Sequence, residues 1–313
     1  MGFRIIEARF MESALKMGIL PAGISILELG ESNVIPEHAA PDLLSVVAPY
    51  LPPDRVAEAA RRITQSRDSR SQYQKTFGTA RALYHAIFDP SSYTAIDLEI
   101  GPRRYCFDLN GPVEMHRRFD CVINNGTSEH VFDQANVFRI IHNQTWPGGV
   151  IINMTPCLGW IDHGFYSVQP GSFFDLARAN GYEIDLISLT TDRICHQLHS
   201  GNEVWDALRS HPELSYSELC TVLRKTADAP FVVPVQGMWM YQSPGLTLAT
   251  MPRRYAPQRR PNLALNRPAL QSSTSIWSWH DDPALDAASA NDGRIQSSNP
   301  HHGGWSTFAP FAR

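Results

Sequence analysis

The sequence lacks three features that would each indicate a particular class of protein. Its five cysteines form no CxxC pair, its 27 basic and 31 acidic residues leave a net charge of only −4, and its apolar runs stay short. A membrane-spanning helix needs roughly 18 consecutive apolar residues, and the nearly balanced charge gives no indication of nucleic acid or an anionic membrane as a partner. Scattered cysteines in apolar surroundings indicate reduced core residues, which predicts a cytoplasmic protein.

The amino terminus also lacks the pattern of a secretory signal. Residues 1–20 alternate charged and apolar side chains at helical spacing, without an unbroken apolar segment or a small-residue cleavage site. With 313 residues, 43% of them hydrophobic, the chain can form one large domain or two smaller ones. No pattern in the sequence specifies an oligomeric state.

Short apolar runs alternate with helical patterns along much of the chain. Helices are predicted after the fourth and fifth strands, the second one capped by Ser172 and stopped by Gly181. The strands themselves are predicted at 24–30, 93–100, 105–110, 119–125, 148–156 and just after Gly181. Strands that alternate with helices predict a doubly wound, Rossmann-like α/β sheet.

Two regions interrupt this alternation. Residues 34–92 predict a helical insertion after the first strand, with one helix starting at Pro53 and another over 72–88. Residues 251–261 are rich in Pro and Arg and predict a linker. The predicted organisation is therefore a domain over 1–250, this linker, and a short β-rich or irregular extension over 262–313.

Polar residues follow the predicted strands at the point where each strand ends. In an open parallel sheet, ligands bind outside the carboxyl ends of the strands, near the change in strand order. The residues at these ends are Glu28 and Gly30 after the first strand, Asp97 after the second, Asp108 after the third, and the segment from Asn125 to His130 after the fourth. This pattern predicts one ligand site at the carboxyl edge.

The order of these segments resembles that of class I S-adenosylmethionine-dependent methyltransferases over about residues 24–190. "ILELGESN" is similar to the first motif, "AIDLE" to the second, "FDLN" to the third, and "FDCVINNGTSEHVFDQ…WPGGVIIN" to the fourth and fifth strands. The resemblance implies S-adenosyl-L-methionine as cofactor, with the Gly30 turn beneath its methionine part, Asp97 on the ribose hydroxyls and Asp108 facing the adenine amino group. The cofactor residues expected from it are Glu28, Gly30, Ser32, Asp97, Asp108, Asn125 and Gly126.

This first motif departs from the family pattern. The usual motif has two or three glycines, whereas here Gly30 is followed by Glu31, Ser32 and Asn33. The backbone can still approach a ligand at Gly30, but the loop beyond it is bulkier. The second and third strands are also too close in sequence to hold the ordinary helix between them, and the insertion over 34–92 is expected to supply that cover.

The segment after the fifth strand, 157–177, lies where this fold usually places substrate-binding residues. It contains Asp162, His163 and several aromatic side chains. Methyl transfer needs an in-line nucleophile, and an alkyl hydroxyl also needs a base or a metal to assist the loss of its proton. His163 is the predicted general base, with Asp162 as supporting carboxylate and His130 as competitor. No metal site is predicted, because "HQLH" (196–199), at helical i, i+3 spacing, has no matching acidic pair.

The sequence beyond residue 261 resembles the opening of a discoidin-like domain, the coagulation-factor type C sandwich. The similarity lies in "PNLALNRPALQSSTS…DAASANDG", up to about residue 293. Such modules commonly bind carbohydrate or lipid head groups, but for this partial segment a partly ordered, Ser-rich extension is the favoured interpretation. Together with the aromatic loop, the resemblance predicts a sugar or glycan hydroxyl as acceptor. The alternatives are a methyltransferase for another small metabolite and a non-catalytic methyltransferase-like scaffold beside a carbohydrate-binding module. No nucleic-acid or membrane partner is predicted.

Overall fold

The computed structural model describes residues 2–36, 39–98, 104–113 and 115–237. The predicted linker over 251–261 and the discoidin-like segment over 262–313 lie outside the described residues. Among the helices of the described part, none is long and apolar enough to cross a membrane.

The described residues form ten strands and seven α-helices. The strands are β1 (Gly2–Phe3), β2 (Ser25–Leu29), β3 (Asn33–Val34), β4 (Ser92–Asp97), β5 (Arg104–Cys106), β6 (Phe119–Asn125), β7 (Thr145–Leu158), β8 (Glu183–Thr190), β9 (Cys195–Gln197) and β10 (Ser217–Arg224). The helices are α1 (Ile5–Lys16), α2 (Ala40–Val47), α3 (Pro53–Arg67), α4 (Gln72–Phe88), α5 (Gln134–Gln144), α6 (Pro170–Asn180) and α7 (Val204–Ser210).

Eight of these strands form one mixed sheet in the order β5-β4-β2-β6-β7-β10-β8-β9. The strands from β5 to β7 are parallel, and β10 runs antiparallel to both β7 and β8. From β2 the chain builds outward through β4 and β5, then returns to β6 and β7 on the other side. The expected doubly wound α/β sheet is confirmed, and its change in strand order lies between β2 and β6.

The two faces of the sheet bury separate apolar clusters, because successive strand side chains point to opposite faces. Ile26 packs with the residues of α1 to α4, whereas Leu27 packs with those of α5 and α6. The insertion forms three helices, α2, α3 and α4, on the same face as α1. Its predicted helices at Pro53 and over 72–88 are confirmed.

Several local predictions are wrong in detail. "HQLH" does not lie on a helix, because Cys195–Gln197 forms β9 at the sheet edge, where His196 pairs with Leu189 of β8. Ser172 is not a cap: α6 starts at Pro170, and the Ser172 hydroxyl donates to the Gln169 carbonyl from within the first turn. The predicted stop of that helix at Gly181 is confirmed, with φ +65°.

Candidate active site

Gly30 brings the loops after β2 and β6 into direct contact at the change in strand order. Its φ is +67°, and a Cβ atom there would lie 2.3 Å from the Thr127 hydroxyl oxygen. That hydroxyl donates to the Leu29 carbonyl at 2.6 Å, and the Gly30 amide donates to the Ile96 carbonyl at 2.7 Å. Glycine is therefore required here both for its conformation and for the space that Thr127 occupies.

Glu28, Ser32 and Asn125 meet in one buried hydrogen-bond network below this turn. The Glu28 carboxyl group accepts from the Ser32 hydroxyl at 2.6 Å, from the Tyr84 hydroxyl at 2.9 Å, and from the Tyr93 hydroxyl. Asn125 donates to the Ser32 hydroxyl oxygen at 3.0 Å. Burial raises the pKa of Glu28 to about 7. The polar atoms of these three residues face one another, and their predicted contacts with the cofactor stay a prediction.

Asp97, at the end of β4, keeps its carboxylate partly open at the carboxyl edge. Its side chain is 28% exposed. One oxygen accepts from the Glu31 amide at 3.3 Å and the other from the Leu98 amide at 2.8 Å. The Arg104 guanidinium lies 3.9 Å away. Asp97 therefore adjoins the loop after β2, where a ligand at the switch point would meet it.

Asp108 and Gly126 lie in two further loops of this edge. Asp108 is exposed and accepts from both the backbone amide and the side-chain amide of Asn110, each at 2.9 Å. These hydrogen bonds lower the pKa of Asp108. Gly126 has φ +62°, and its amide donates to the Met154 carbonyl at 2.8 Å. Asp108 thus closes a local turn and still presents a carboxylate to solvent.

The loop after Gly30 carries an ion-pair cluster that the sequence analysis did not predict. The buried Glu31 carboxylate lies 2.6 Å from Arg104 and 3.3 Å from Arg81, and it accepts from the Tyr73 hydroxyl at 2.8 and 2.9 Å. Arg104 also stacks over the Phe77 ring at 4.2 Å. Three of these residues belong to α4, so the insertion covers the end of β2. The replacement of the usual glycines by Glu31 was the available signal.

A second group of polar side chains lies after β6 and β7. Glu129 is fully buried, and its Oε1 lies 4.0 Å from Nε2 of His130 and 3.9 Å from Nε2 of His163. The two imidazole rings are 5.3 Å apart. Neither carboxylate oxygen of Glu129 accepts a hydrogen bond. Burial raises the pKa of Glu129 to about 7 and lowers the pKa of both histidines.

The loop after β7 is held against the Glu129 backbone, which fixes His163 beside it. The amides of Phe165 and Tyr166 donate to the Glu129 carbonyl at 2.7 and 3.3 Å. A Cβ atom on Gly164 would lie 2.9 Å from the same carbonyl oxygen, so glycine permits this approach. Asp162 is exposed, with φ +61°. The carboxylate that lies beside His163 is thus Glu129, and the supporting role of Asp162 stays a prediction.

Arg4 links this cluster to α1 and β10. Its guanidinium forms ion pairs with Glu7, at 2.8 Å, and with Glu218, and it stacks over the Trp160 ring at 4.8 Å. Glu218 is buried and one of its oxygens accepts no hydrogen bond. Burial raises the pKa of Glu218 well above its usual value, with a further contribution from Glu7. The site therefore gathers three carboxylates, with Glu129, around one arginine.

Aromatic side chains border the histidine pair. Trp160 packs against His163 at 4.9 Å and stacks on Tyr216 at 4.7 Å. Phe132 and Phe165 are exposed and meet edge to face at 5.7 Å. Aromatic surface next to groups that can accept a proton is suited to hold an organic molecule with a polar end.

Solved structures with a similar fold include several methyltransferases. An N1-methyltransferase for 1,6-didemethyltoxoflavin from Burkholderia thailandensis, with S-adenosylhomocysteine bound, is 13% identical, with 70% of this chain and 78% of that chain covered and a TM-score of 0.31. The N-methyltransferase NodS from Bradyrhizobium japonicum, also with S-adenosylhomocysteine, is 10% identical, with 71% and 88% covered and a TM-score of 0.37. The [4+2]-cyclase SpnF is 13% identical, with 71% and 82% covered and a TM-score of 0.36.

These likenesses concern the α/β fold, and such low identities do not carry an activity across. No protein-family model matches the chain, and no curated protein matches its sequence.

Proposed function

We propose that the protein is an S-adenosylmethionine-dependent methyltransferase that methylates an oxygen nucleophile, with a sugar or glycan hydroxyl as the favoured acceptor. The observation that carries the proposal is the division of the carboxyl edge into two neighbouring parts. The Gly30 turn and the open Asp97 carboxylate lie at the ends of β2 and β4. The cluster of Glu129, His130 and His163 follows β6 and β7.

The first part suits a nucleoside cofactor. A carboxylate at the end of the strand next to the switch point can accept hydrogen bonds from two vicinal ribose hydroxyls, and hydrogen bonds to charged groups contribute about 1.5–3 kcal/mol each. Asp97 has this position and remains partly exposed. The positive φ of Gly30 turns the chain directly after β2, and the following amide, that of Glu31, donates to the Asp97 carboxylate.

The second part suits the acceptor. When bound, the cofactor would supply a methyl group to the acceptor oxygen and leave as a neutral thioether. The hydroxyl proton passes to the cluster, where His163 is the predicted general base. The exposed rings of Phe165 and Tyr216 offer aromatic faces on which the apolar face of a sugar ring could stack.

Calorimetric titration with S-adenosylmethionine and S-adenosylhomocysteine tests the cofactor, and release of S-adenosylhomocysteine over a panel of sugars, glycans and other small hydroxyl compounds tests the reaction. General-base catalysis contributes roughly 10²–10⁴-fold, so His163→Ala should lower turnover at least about 100-fold while cofactor affinity stays nearly constant. Unchanged turnover in that variant would place the base elsewhere.

One observation favours the scaffold alternative. Glu31, held by Arg81, Arg104 and Tyr73, fills the loop in which the family pattern has further glycines. Absence of heat on titration with both forms of the cofactor would support a non-catalytic scaffold and reject the methyltransferase proposal.

A further inference from the structure

We infer that Glu129, His130 and His163 bind one divalent transition-metal ion. Each of these residues offers one ligand atom, and the three atoms lie within 4.8 Å of one another. Two imidazoles and one carboxylate are a donor set that suits Zn²⁺ and its first-row neighbours, whereas Mg²⁺ and Ca²⁺ prefer oxygen ligands alone. Three protein ligands with an open position are the arrangement of catalytic rather than structural zinc sites.

The spacing of the ligand atoms is close to that of a bound site. Bonds of about 2.0–2.2 Å to zinc place the ligands of a tetrahedral site roughly 3.3–3.5 Å apart. The measured separations from Glu129 Oε1 are 4.0 Å to His130 Nε2 and 3.9 Å to His163 Nε2. The histidine side chains are 45% and 36% exposed, so small rotations of these rings can close the gap without a change in the backbone.

Glu129 supplies the independent evidence that something binds here. Its carboxyl group is fully buried, is directed at the two imidazoles, and accepts no hydrogen bond from another residue at either oxygen. Burying a polar group without a partner is costly, and burying a carboxylate costs more. A metal ion would take up the carboxylate oxygen that the protein leaves unpaired.

The surrounding charge also favours a cation. Glu7, Glu129 and Glu218 interact with one another, and Arg4 acts on each of them. Arg4 is already paired with Glu7 and Glu218, and it forms no hydrogen bond with Glu129. A divalent ion at Glu129 would offset the remaining negative charge.

The backbone holds the ligands in place. Glu129 and His130 form a 3₁₀ turn directly after β6, and the Phe165 and Tyr166 amides anchor the other loop to the Glu129 carbonyl. Preorganised ligands of this kind are what a metal site needs before the ion arrives. The position of the site next to the aromatic side chains gives its open coordination position access to the acceptor.

This inference deepens the proposed function and, in its catalytic role, rests on it. An ion at the cluster would bind the acceptor hydroxyl oxygen and lower the pKa of that hydroxyl, so the proton could leave to water without an imidazole base. In that case His130 and His163 are equally important ligands. With His163 as a base and no metal, loss of His163 would be far more damaging than loss of His130.

Metal binding is tested on the full-length protein after treatment with EDTA and dialysis. Calorimetry with Zn²⁺ and the absorption spectrum of added Co²⁺ are expected to show one equivalent bound. Mutation of a residue that only hydrogen-bonds to a metal ligand already lowers metal affinity about 10–100-fold. Loss of a ligand itself, in His130→Ala, His163→Ala or Glu129→Gln, should therefore weaken zinc binding by at least about 100-fold. Removal of a half-exposed histidine leaves the core intact, so the two histidine variants remain informative if Glu129→Gln fails to fold.

His211→Ala is the matched control. The His211 ring lies 5.2 Å from that of His196, and its Nδ1 lies 3.6 Å from Glu213, so its partners differ from those of His130 and His163. This variant should keep the wild-type zinc affinity. No zinc binding by the wild type, or equal binding by all four variants, would overturn the inference.

The outcome for the metal is separable from that for the proposed function. Zinc binding that depends on the three ligands, in a protein that does not bind S-adenosylmethionine, would leave the metal site standing and reject the methyltransferase. Methyl transfer by EDTA-treated protein that binds no zinc would keep the methyltransferase and reject the metal site.

Discussion

Replacement of Glu28 by glutamine tests whether this carboxyl group supports the switch-point loop or binds the cofactor. Glu28 is fully buried and is hydrogen-bonded to Ser32, Tyr84 and Tyr93. Burial raises its pKa from 4.5 to about 7. Glutamine has the same shape and keeps an acceptor oxygen, but it does not titrate.

The raised pKa fixes the sign of the expected pH dependence. A carboxyl group that holds its proton more tightly in the folded state contributes stability that is fully present below pH 4.5 and is lost as the pH rises through about 7. One pKa unit corresponds to about 1.36 kcal/mol, so Glu28 can lower the free energy of unfolding by at most about 3 kcal/mol over this range. Glu28→Gln should therefore remove this decrease in the free energy of unfolding with rising pH.

Urea unfolding at several pH values between 4.5 and 7.5 measures the effect. Glu58→Gln is the control, because Glu58 is exposed and hydrogen bonds from Arg61 and Arg62 lower its pKa to about 2, so its contribution changes only at more acidic pH. The affinity for S-adenosylmethionine should be little changed in Glu28→Gln. If the free energy of unfolding depends on pH equally in wild type and Glu28→Gln, and the variant binds S-adenosylmethionine tenfold more weakly, the structural role is refuted and a cofactor contact is supported.

Three further predictions concern the cofactor part of the site and the carboxyl-terminal segment. Asp97→Ala should weaken S-adenosylmethionine binding at least about tenfold by calorimetry, because each lost hydrogen bond to a charged group costs about 1.5–3 kcal/mol; Asp206→Ala, at an exposed ion pair, should leave the affinity unchanged, and equal affinities would reject the assignment. Gly30→Ala should lower both the melting temperature and the cofactor affinity more than Gly23→Ala, because both glycines have positive φ but only the Gly30 Cβ would meet Thr127; equal losses would show that the contact is unimportant. A chain ending near Met251 should keep its melting temperature and cofactor affinity, because both described apolar clusters are formed by residues from Phe3 to Phe231; a large drop in either would show that the removed segment belongs to the same domain.

Much of the central sheet could be predicted because its strands are short apolar runs with polar ends, but the buried strand β10 between β7 and β8 was not predicted. The runs at 24–30 and 119–125 correspond closely to β2 and β6, and β4 ends at Asp97. The third predicted strand reduces to the three residues of β5, and β9 was read as a helix. Both lie at the edges of the sheet, where pairing on one side replaces the continuous apolar pattern with polar, exposed residues.

The site could be predicted only in part, because sequence position does not give the direction of a side chain. Asp97 and Gly30 follow from where a strand ends, and the structure has both at the open edge. Glu28 lies on β2, two residues before Gly30, yet its carboxyl group is directed into the core, where two tyrosines bind it. Glu129 was not predicted as a site residue, although it precedes His130. It lies beside His163 only because the loop after β7 packs against it.

The insertion explains why the loop after β2 can depart from a glycine-rich pattern. A bulky acidic loop at the end of a central strand would leave a buried carboxylate unpaired, which is costly. Here α4 supplies partners: Arg81 forms an ion pair with Glu31, and Tyr73 donates a hydrogen bond to it. Tyr84 of the same helix donates to Glu28, three residues earlier in the chain. One helix therefore stabilises both carboxyl groups that flank Gly30. The buried Glu31 and the polar residues of α4 therefore stabilise one another, and Arg104 of β5 completes the set of partners around Glu31.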